Sequence, residues 1–234
     1  ECFRSHHPRH HSHHLHLGSR IGPASGGDLD GTPHPDPGRQ EGHPHRGEEA
    51  EANLGLAKRG ALPVVHSFAC FLSARPNEQI YNQCSEGSKV LYVGSLAGLL
   101  PGGPGHSHQS VRDIGALGAI PELLMAEPSV EDEVHALFDY LVDSAQDSSY
   151  LRLVSVKWPV PFKYPTGHRV QTGQGWVVRE GHDLVVVGYG PWLLSNAWHA
   201  IEGLSHDDGV SIRLINLPWL NRVDPVWLTK VIGD

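Results

Sequence analysis

The chain has 234 residues, room for one large or two small domains at roughly 100–200 residues each. Its formal charge of −8 argues against a nucleic-acid partner, which selects a basic patch, and no apolar run approaches the ~20 residues of a membrane span. Apolar residues, glycine not counted, make up 39%, and they are scarcest at the N-terminus.

Residues 1–50 are rich in His, Pro, Gly, Arg and Ser and lack both the helical and the strand hydrophobic period, which predicts disorder. Seven histidines fall between His6 and His16. Dense imidazole can bind Zn, Ni or Cu, and read as composition the tract is a low-complexity tail with incidental metal affinity. A shifted reading frame in a GC-rich gene also produces such text. The chain begins at Glu1 rather than Met, as a fragment or processed product does, and lacks the apolar core of a secretory signal. Cys2, Cys70 and Cys84 show no metal-ligand spacing. Three sparse cysteines suit a reducing compartment, so a cytoplasmic location is the default expectation.

From Leu62 onward strands and helices alternate. Leu62–Phe68 reads as a short buried strand, and Phe71–Cys84 as a helix with Pro76 near its start. Lys89–Ala97 is a second strand, followed by a Gly/Pro loop from Gly98 to Gly105 and a short helix over Ser110–Ala119. Pro121–Pro128 is a third strand. Ser129 and Asp132 have capping-box spacing ahead of a helix whose apolar face is Val130, Val134, Leu137, Phe138, Leu141 and Val142. Tyr150–Val156 is a fourth strand. The Pro/Gly/aromatic stretch 158–173 reads as a linker. Beyond it, Gly175–Glu180 and Asp183–Gly190 are strands, and Pro191–Leu204 is a helix with proline in its first turn. Ser211–Leu220 is a strand, and Asp224–Asp234 begins a further helix, so this block reads as unfinished.

The fold class that follows is α/β: two consecutive parallel-sheet domains, over 51–157 and 174–234, preceded by a disordered His-rich segment over 1–50. Strands that are near-continuous apolar runs fit sheets covered on both faces.

Chemistry concentrates between His66 and Pro121. The loop Gly102–Gln109 carries His106 and His108, a residue type whose pKa suits proton transfer near neutrality. Upstream, His66 precedes Phe68 and Phe71, spaced three apart; flat rings stack on heteroaromatic ligands and exclude water. Gly188-Tyr189-Gly190 reads as a tight strand–helix turn rather than an anion site.

The stretch HSFACFLSARPNEQIYNQ and the loop Ser107-His108-Gln109, followed by Ala119-Ile120-Pro121, resemble the pyrimidine-binding domain of transketolase-family thiamine-diphosphate enzymes. Residues 174–204 and 211–228 are similar to the family's C-terminal domain. The resemblance implies that Phe68 and Phe71 line the aminopyrimidine pocket. His108, with His106 beside it as an extra residue, would face the substrate and move protons, and His66 would contact substrate. Arg75 and Gln79 fall where the family has a supporting Arg and Gln. Where the family has an acidic residue before its Gly-Pro, this chain has Gly102-Gly103, which puts a sugar-hydroxyl contact there in doubt.

This chemistry needs a carboxylate on the cofactor's pyrimidine ring. By resemblance it is Glu51, in Glu51-Ala52-Asn53, but Gly55-Leu56-Ala57 follows sooner than in the family by more than one helical turn. Glu51 also lies in the acidic run GEEAEA, where a solvated carboxylate is the ordinary reading. The chain has no Gly-Asp-Gly followed by Asn-Asn, the family's motif for Mg²⁺ and the diphosphate. The resemblance therefore implies a separate diphosphate-binding N-terminal subunit, a homo- or hetero-oligomer, thiamine diphosphate with Mg²⁺ as cofactor, and phosphorylated sugars as substrates. Transfer of a two-carbon ketol unit is the expected reaction. Deoxyxylulose-phosphate synthase and ketoacid dehydrogenase β-subunits share the pattern. Two other readings stay open: an inactive remnant serving as an interaction module, and a histidine tract that buffers metal.

Overall fold

Strand–helix alternation requires parallel pairing, and the computed structural model, which describes residues 53–233, has it. Strands β1 (Val64–Phe68), β2 (Leu91–Ser95), β3 (Leu124–Ala126) and β4 (Ser149–Arg152) form one all-parallel sheet in the order β1-β2-β4-β3. Its helices are α1 (residues 53–58), α2 (Ala69–Ala74), α3 (Asn77–Ser85), α4 (Asp113–Gly118) and α5 (Glu131–Asp143). The histidine tract and Glu51 lie outside the described residues.

The two-residue strand period sorts this sheet's side chains onto two cores. Tyr92, Met125 and Tyr150 point into one with Ile80 and Leu117. Leu91, Val93, Leu124 and Leu151 point into the other with Leu137 and Leu141 of α5. Each leucine buried this fully contributes about 1.5–3 kcal/mol. Phe138, expected on the same apolar face of α5, is 38% exposed.

Two local expectations change. The helix expected over Phe71–Cys84 is two helices, with Arg75 ending α2 and Pro76 preceding α3. Proline's missing N–H and ring clash break the ladder there. Helix α5 is not capped by a Ser129/Asp132 box. Its N-cap is Val130, and the Ser129 N–H and hydroxyl both donate to Glu133 Oε2, at 2.6 and 2.7 Å. Glu133, at the third helical position, has the reach that the shorter Asp132 lacks.

The second sheet holds β5 (Trp176–Arg179), β6 (Leu184–Gly188) and β7 (Ile212–Asn216) in the order β5-β7-β6. β6 and β7 are parallel, with α6 (Pro191–Asp207) as their crossover; β5 runs antiparallel to β7, so this sheet is mixed. The chain passes from β5 to β6 across the end of β7, and Gly181 lies so close to the Ile212 backbone that a Cβ there would overlap it. Phe162, from the stretch 158–173, packs with Trp176, Leu194 and Leu214 in this core. Helix α7 (Pro225–Gly233) closes the chain. Asp224 Oδ1 accepts the N–H groups of Val226 and Trp227 at 2.9 and 3.1 Å and caps it.

The two sheets meet along β3. Leu220 N–H donates to Met125 O at 2.8 Å, Glu127 N–H to Pro218 O at 2.9 Å, and the Asn221 amide bonds both Met125 N and Leu123 O. Residues 218–221 thus run along β3 as a substitute strand. At the opposite edge β1 has no outer partner among the described residues, and its Val64 and Phe68 are 52% and 40% exposed.

Candidate active site and its buried support

The histidine loop springs from the C-terminal end of β2. Leu96, first after the strand, is held at φ 55°, a left-handed conformation costly for a branched side chain. Its N–H donates to Ser155 Oγ at 2.8 Å. The loop returns through Ser110, whose N–H and carbonyl pair with Gly98 at 3.0 Å each. Between these points it folds on itself: His108 and Gln109 N–H both donate to Gly105 O, and Gln109 Nε2 donates to Leu99 O at 2.7 Å.

That folding delivers the His108 ring onto the two phenylalanines. Its centroid lies 5.8 Å from Phe68 and 5.1 Å from Phe71, edge-on to both, and the phenylalanine rings are 5.9 Å apart. Phe68 ends β1 and Phe71 sits in the first turn of α2, so the strand–helix junction fixes their spacing. Ser107 Oγ lies 2.9 Å from His108 Nδ1. The guanidinium of Arg75 stacks over Phe71 at 4.1 Å.

The other expected residues are placed apart from this cluster. His66 is exposed on β1, two residues before Phe68 and on the same strand face. His106 lines a cavity of about 410 Å³ between the loop and α2, together with Cys70, Ser73, Arg75 and Arg112. Gln79 lies in α3, its side-chain oxygen buried and unpartnered. Burial raises the Cys70 thiol pKa.

Beneath the loop lies a charged network absent from the sequence reading. Arg152, on β4, donates through Nε to Asp113 Oδ2 at 2.7 Å and through a terminal nitrogen to Glu127. Its other terminal nitrogen reaches Ser110 O at 3.3 Å, and Tyr150 Oη donates to Asp113 Oδ2 at 2.8 Å. Asp113, Glu127 and Arg152 are all buried. Burial opposes the Arg152 charge, but Glu127 and Asp113 beside it outweigh this and hold its pKa above the usual range. The network ties the returning limb of the loop to the sheet. Its signal was available: Arg152 and Glu127 interrupt apolar strand runs, where an unpaired charge is prohibitively costly.

The fold and site define an α/β protein that presents two phenylalanines and a histidine at the C-terminal ends of its strands, where ligands of open parallel sheets bind. Residues 50–155 match the family described as transketolase, pyrimidine binding domain. The 1-deoxy-D-xylulose-5-phosphate synthase of Geobacillus thermodenitrificans is 27% identical over 189 residues, covering 76% of this chain and 28% of the relative. The enzyme of that name from Bacteroides fragilis is 27% identical over 188 residues, with 76% and 27% covered. Transketolase from Leishmania mexicana shares the fold at TM-score 0.66 and 22% identity, over 79% of this chain and 28% of that one. A split-gene transketolase, an inactive beta4 tetramer, does so at TM-score 0.64 and 24% identity, over 74% and 54%. The chain spans under a third of the length of these curated relatives. Residues 50–155 thus carry a match to the transketolase pyrimidine-binding domain, and the fold is one that solved transketolases share.

Proposed function

We propose that this chain supplies the pyrimidine-binding and C-terminal portions, residues 51–157 and 174–234, of a transketolase-type transferase. In this reading it moves a two-carbon ketol unit between phosphorylated sugars. The observation that carries the reading is the ring cluster of Phe68, Phe71 and His108. Phe68 is 40% exposed, so a flat heteroaromatic ring has an aromatic wall to stack on. The residues present fit the pyrimidine half of thiamine diphosphate. They do not fit its other half: among the described residues no three His, Cys, Asp or Glu side chains are placed to hold a metal ion. A diphosphate-binding partner chain would contribute Mg²⁺ and the diphosphate contacts, and the working unit is an oligomer of the two.

Thiamine diphosphate, when bound, supplies the electron sink for breaking the ketose carbon–carbon bond. Within this chain, Phe68 and Phe71 would orient the pyrimidine and exclude water. His108, held edge-on against them with Ser107 at Nδ1, would move a proton at a substrate hydroxyl. His106 and His66 would flank the substrate path, and Glu51 would meet the pyrimidine ring. A cytoplasmic location belongs to the same reading, since Cys70 and Cys84 are free. No described helix is long and apolar enough to cross a membrane.

The test is reconstitution. The chain is mixed with a diphosphate-binding subunit, Mg²⁺ and thiamine diphosphate, and both cofactor binding and ketol transfer are measured. Activity that needs both chains supports the reading; a complex that binds no thiamine sinks it and leaves an interaction module. A second reading is favoured by the names of the curated relatives: formation of 1-deoxy-D-xylulose 5-phosphate. Product analysis of the same reconstituted complex separates the two.

A further inference from the structure

The cavity beside the histidine loop is built for an anion. Arg75, at the end of α2, and Arg112, just before α4, both line it together with His106, and no carboxylate is among the described residues that line it. In a chain of net charge −8 that concentration of positive groups is out of character. Neither guanidinium has a carboxylate within ion-pair reach among the described residues. The nearby carboxylate of Asp113 is already taken by Arg152 and Tyr150. Ser110, 2% exposed, forms part of the wall, and its hydroxyl has no hydrogen-bond partner among the described residues. Buried hydroxyls are nearly always bonded, so an orphan here points to a missing acceptor. The cavity, about 410 Å³, is several times larger than a phosphate group needs.

We infer that this cavity is a phosphate-binding site, with Arg75 and Arg112 as its charged forks and Ser110 and His106 as further donors. Guanidinium suits the task because its planar N–H pairs match oxyanion geometry. Arg75 is pre-oriented by its stacking on Phe71. The inference goes beyond the thiamine reading and does not require it.

The full chain is titrated with inorganic phosphate and, separately, glycerol 3-phosphate, following heat and the ³¹P resonance. Saturable one-site binding is expected. Arg112→Ala, at an exposed position, should weaken it about tenfold or more, and Arg75→Ala likewise. Arg169→Ala, at an exposed position outside the cavity lining, should leave it unchanged. Circular dichroism of each variant reports folding, and Arg112→Ala decides the matter if Arg75→Ala unfolds. Tighter binding of the ester assigns the site to a phosphorylated metabolite, and tighter binding of inorganic phosphate to the free anion. Absence of saturation, or equal weakening by Arg169→Ala and Arg112→Ala, overturns the inference. Thiamine plays no part in the titration, so its failure and that of the transferase reading are distinguishable.

Discussion

Glu133 Oε1 accepts the indole N–H of Trp176 at 2.9 Å, joining helix α5 of the first sheet to strand β5 of the second. The same oxygen accepts Asn216 Nδ2 at 2.7 Å, while Oε2 takes both groups of Ser129. A carboxylate that is 1% exposed and has no cationic partner among the described residues is thus satisfied by four donors. Trp176→Phe keeps an aromatic ring in the core but removes one donor and part of the indole's bulk. Chemical denaturation should show a loss of about 1–3 kcal/mol.

Glu133 also sets a pH dependence. Burial raises its pKa above the ordinary 4.5, and the donors from Ser129, Trp176 and Asn216 pull it partly back. A raised carboxyl binds more protons in the folded than in the unfolded state over this interval. Its contribution therefore falls as pH rises from 4.5 through the folded-state value. Urea unfolding of the wild type and Glu133→Gln across that range checks the sign: the stability difference, wild type minus variant, should shrink with rising pH.

Arg152 sits between two buried acids, so removing it alone leaves both uncompensated. Arg152→Met should cost about 3–5 kcal/mol in unfolding experiments. Removing all three charges together, as Asp113→Asn, Glu127→Gln and Arg152→Met, should cost less than that single change. A triple variant less stable than Arg152→Met would show that the charges stabilise by more than mutual compensation.

Gly190 caps α6 at φ 70°, and a Cβ there would overlap the Glu127 carboxylate. With ψ at 162° this is a backbone region that glycine alone adopts readily, and it costs another residue roughly 1–3 kcal/mol. Gly190→Ala should lose more than this in a thermal melt, because Glu127 must also shift on Arg152.

On the proposed transferase reading, His108→Ala in the reconstituted complex should lower kcat by about 10²–10⁴-fold, the usual contribution of a positioned proton-transfer group. Phe71→Ala should instead weaken cofactor binding. Steady-state kinetics and cofactor titration on folded, assembled variants distinguish the two effects.

The parts of this protein that hydrophobic period and punctuation dictate were readable from sequence. Apolar runs such as that around Leu91–Val93 announced buried parallel strands, and Pro191 announced the start of α6. The ring cluster was readable only through resemblance, since Phe68 and Phe71 at three-residue spacing are equally ordinary core residues. What local pattern could not supply were partners distant in sequence. Arg152 finds Asp113 across 39 residues and Glu133 finds Asn216 across 83, so each looked like an isolated charge in a run. The antiparallel β5 escaped for a similar reason: its direction depends on where the chain crosses β7, which no strand pattern encodes.

The substitute strand at residues 218–221 has a consequence for the order in which a ribosome releases this polypeptide. All four strands of the first sheet have emerged by Arg152, yet the groups that close the β3 edge are synthesised some 70 residues later. At the ~5–20 residues per second of synthesis, the nascent sheet spends seconds with its β3 flank open. Open flanks recruit foreign strands. A message truncated before the codon for Pro218 would fix that transient state permanently.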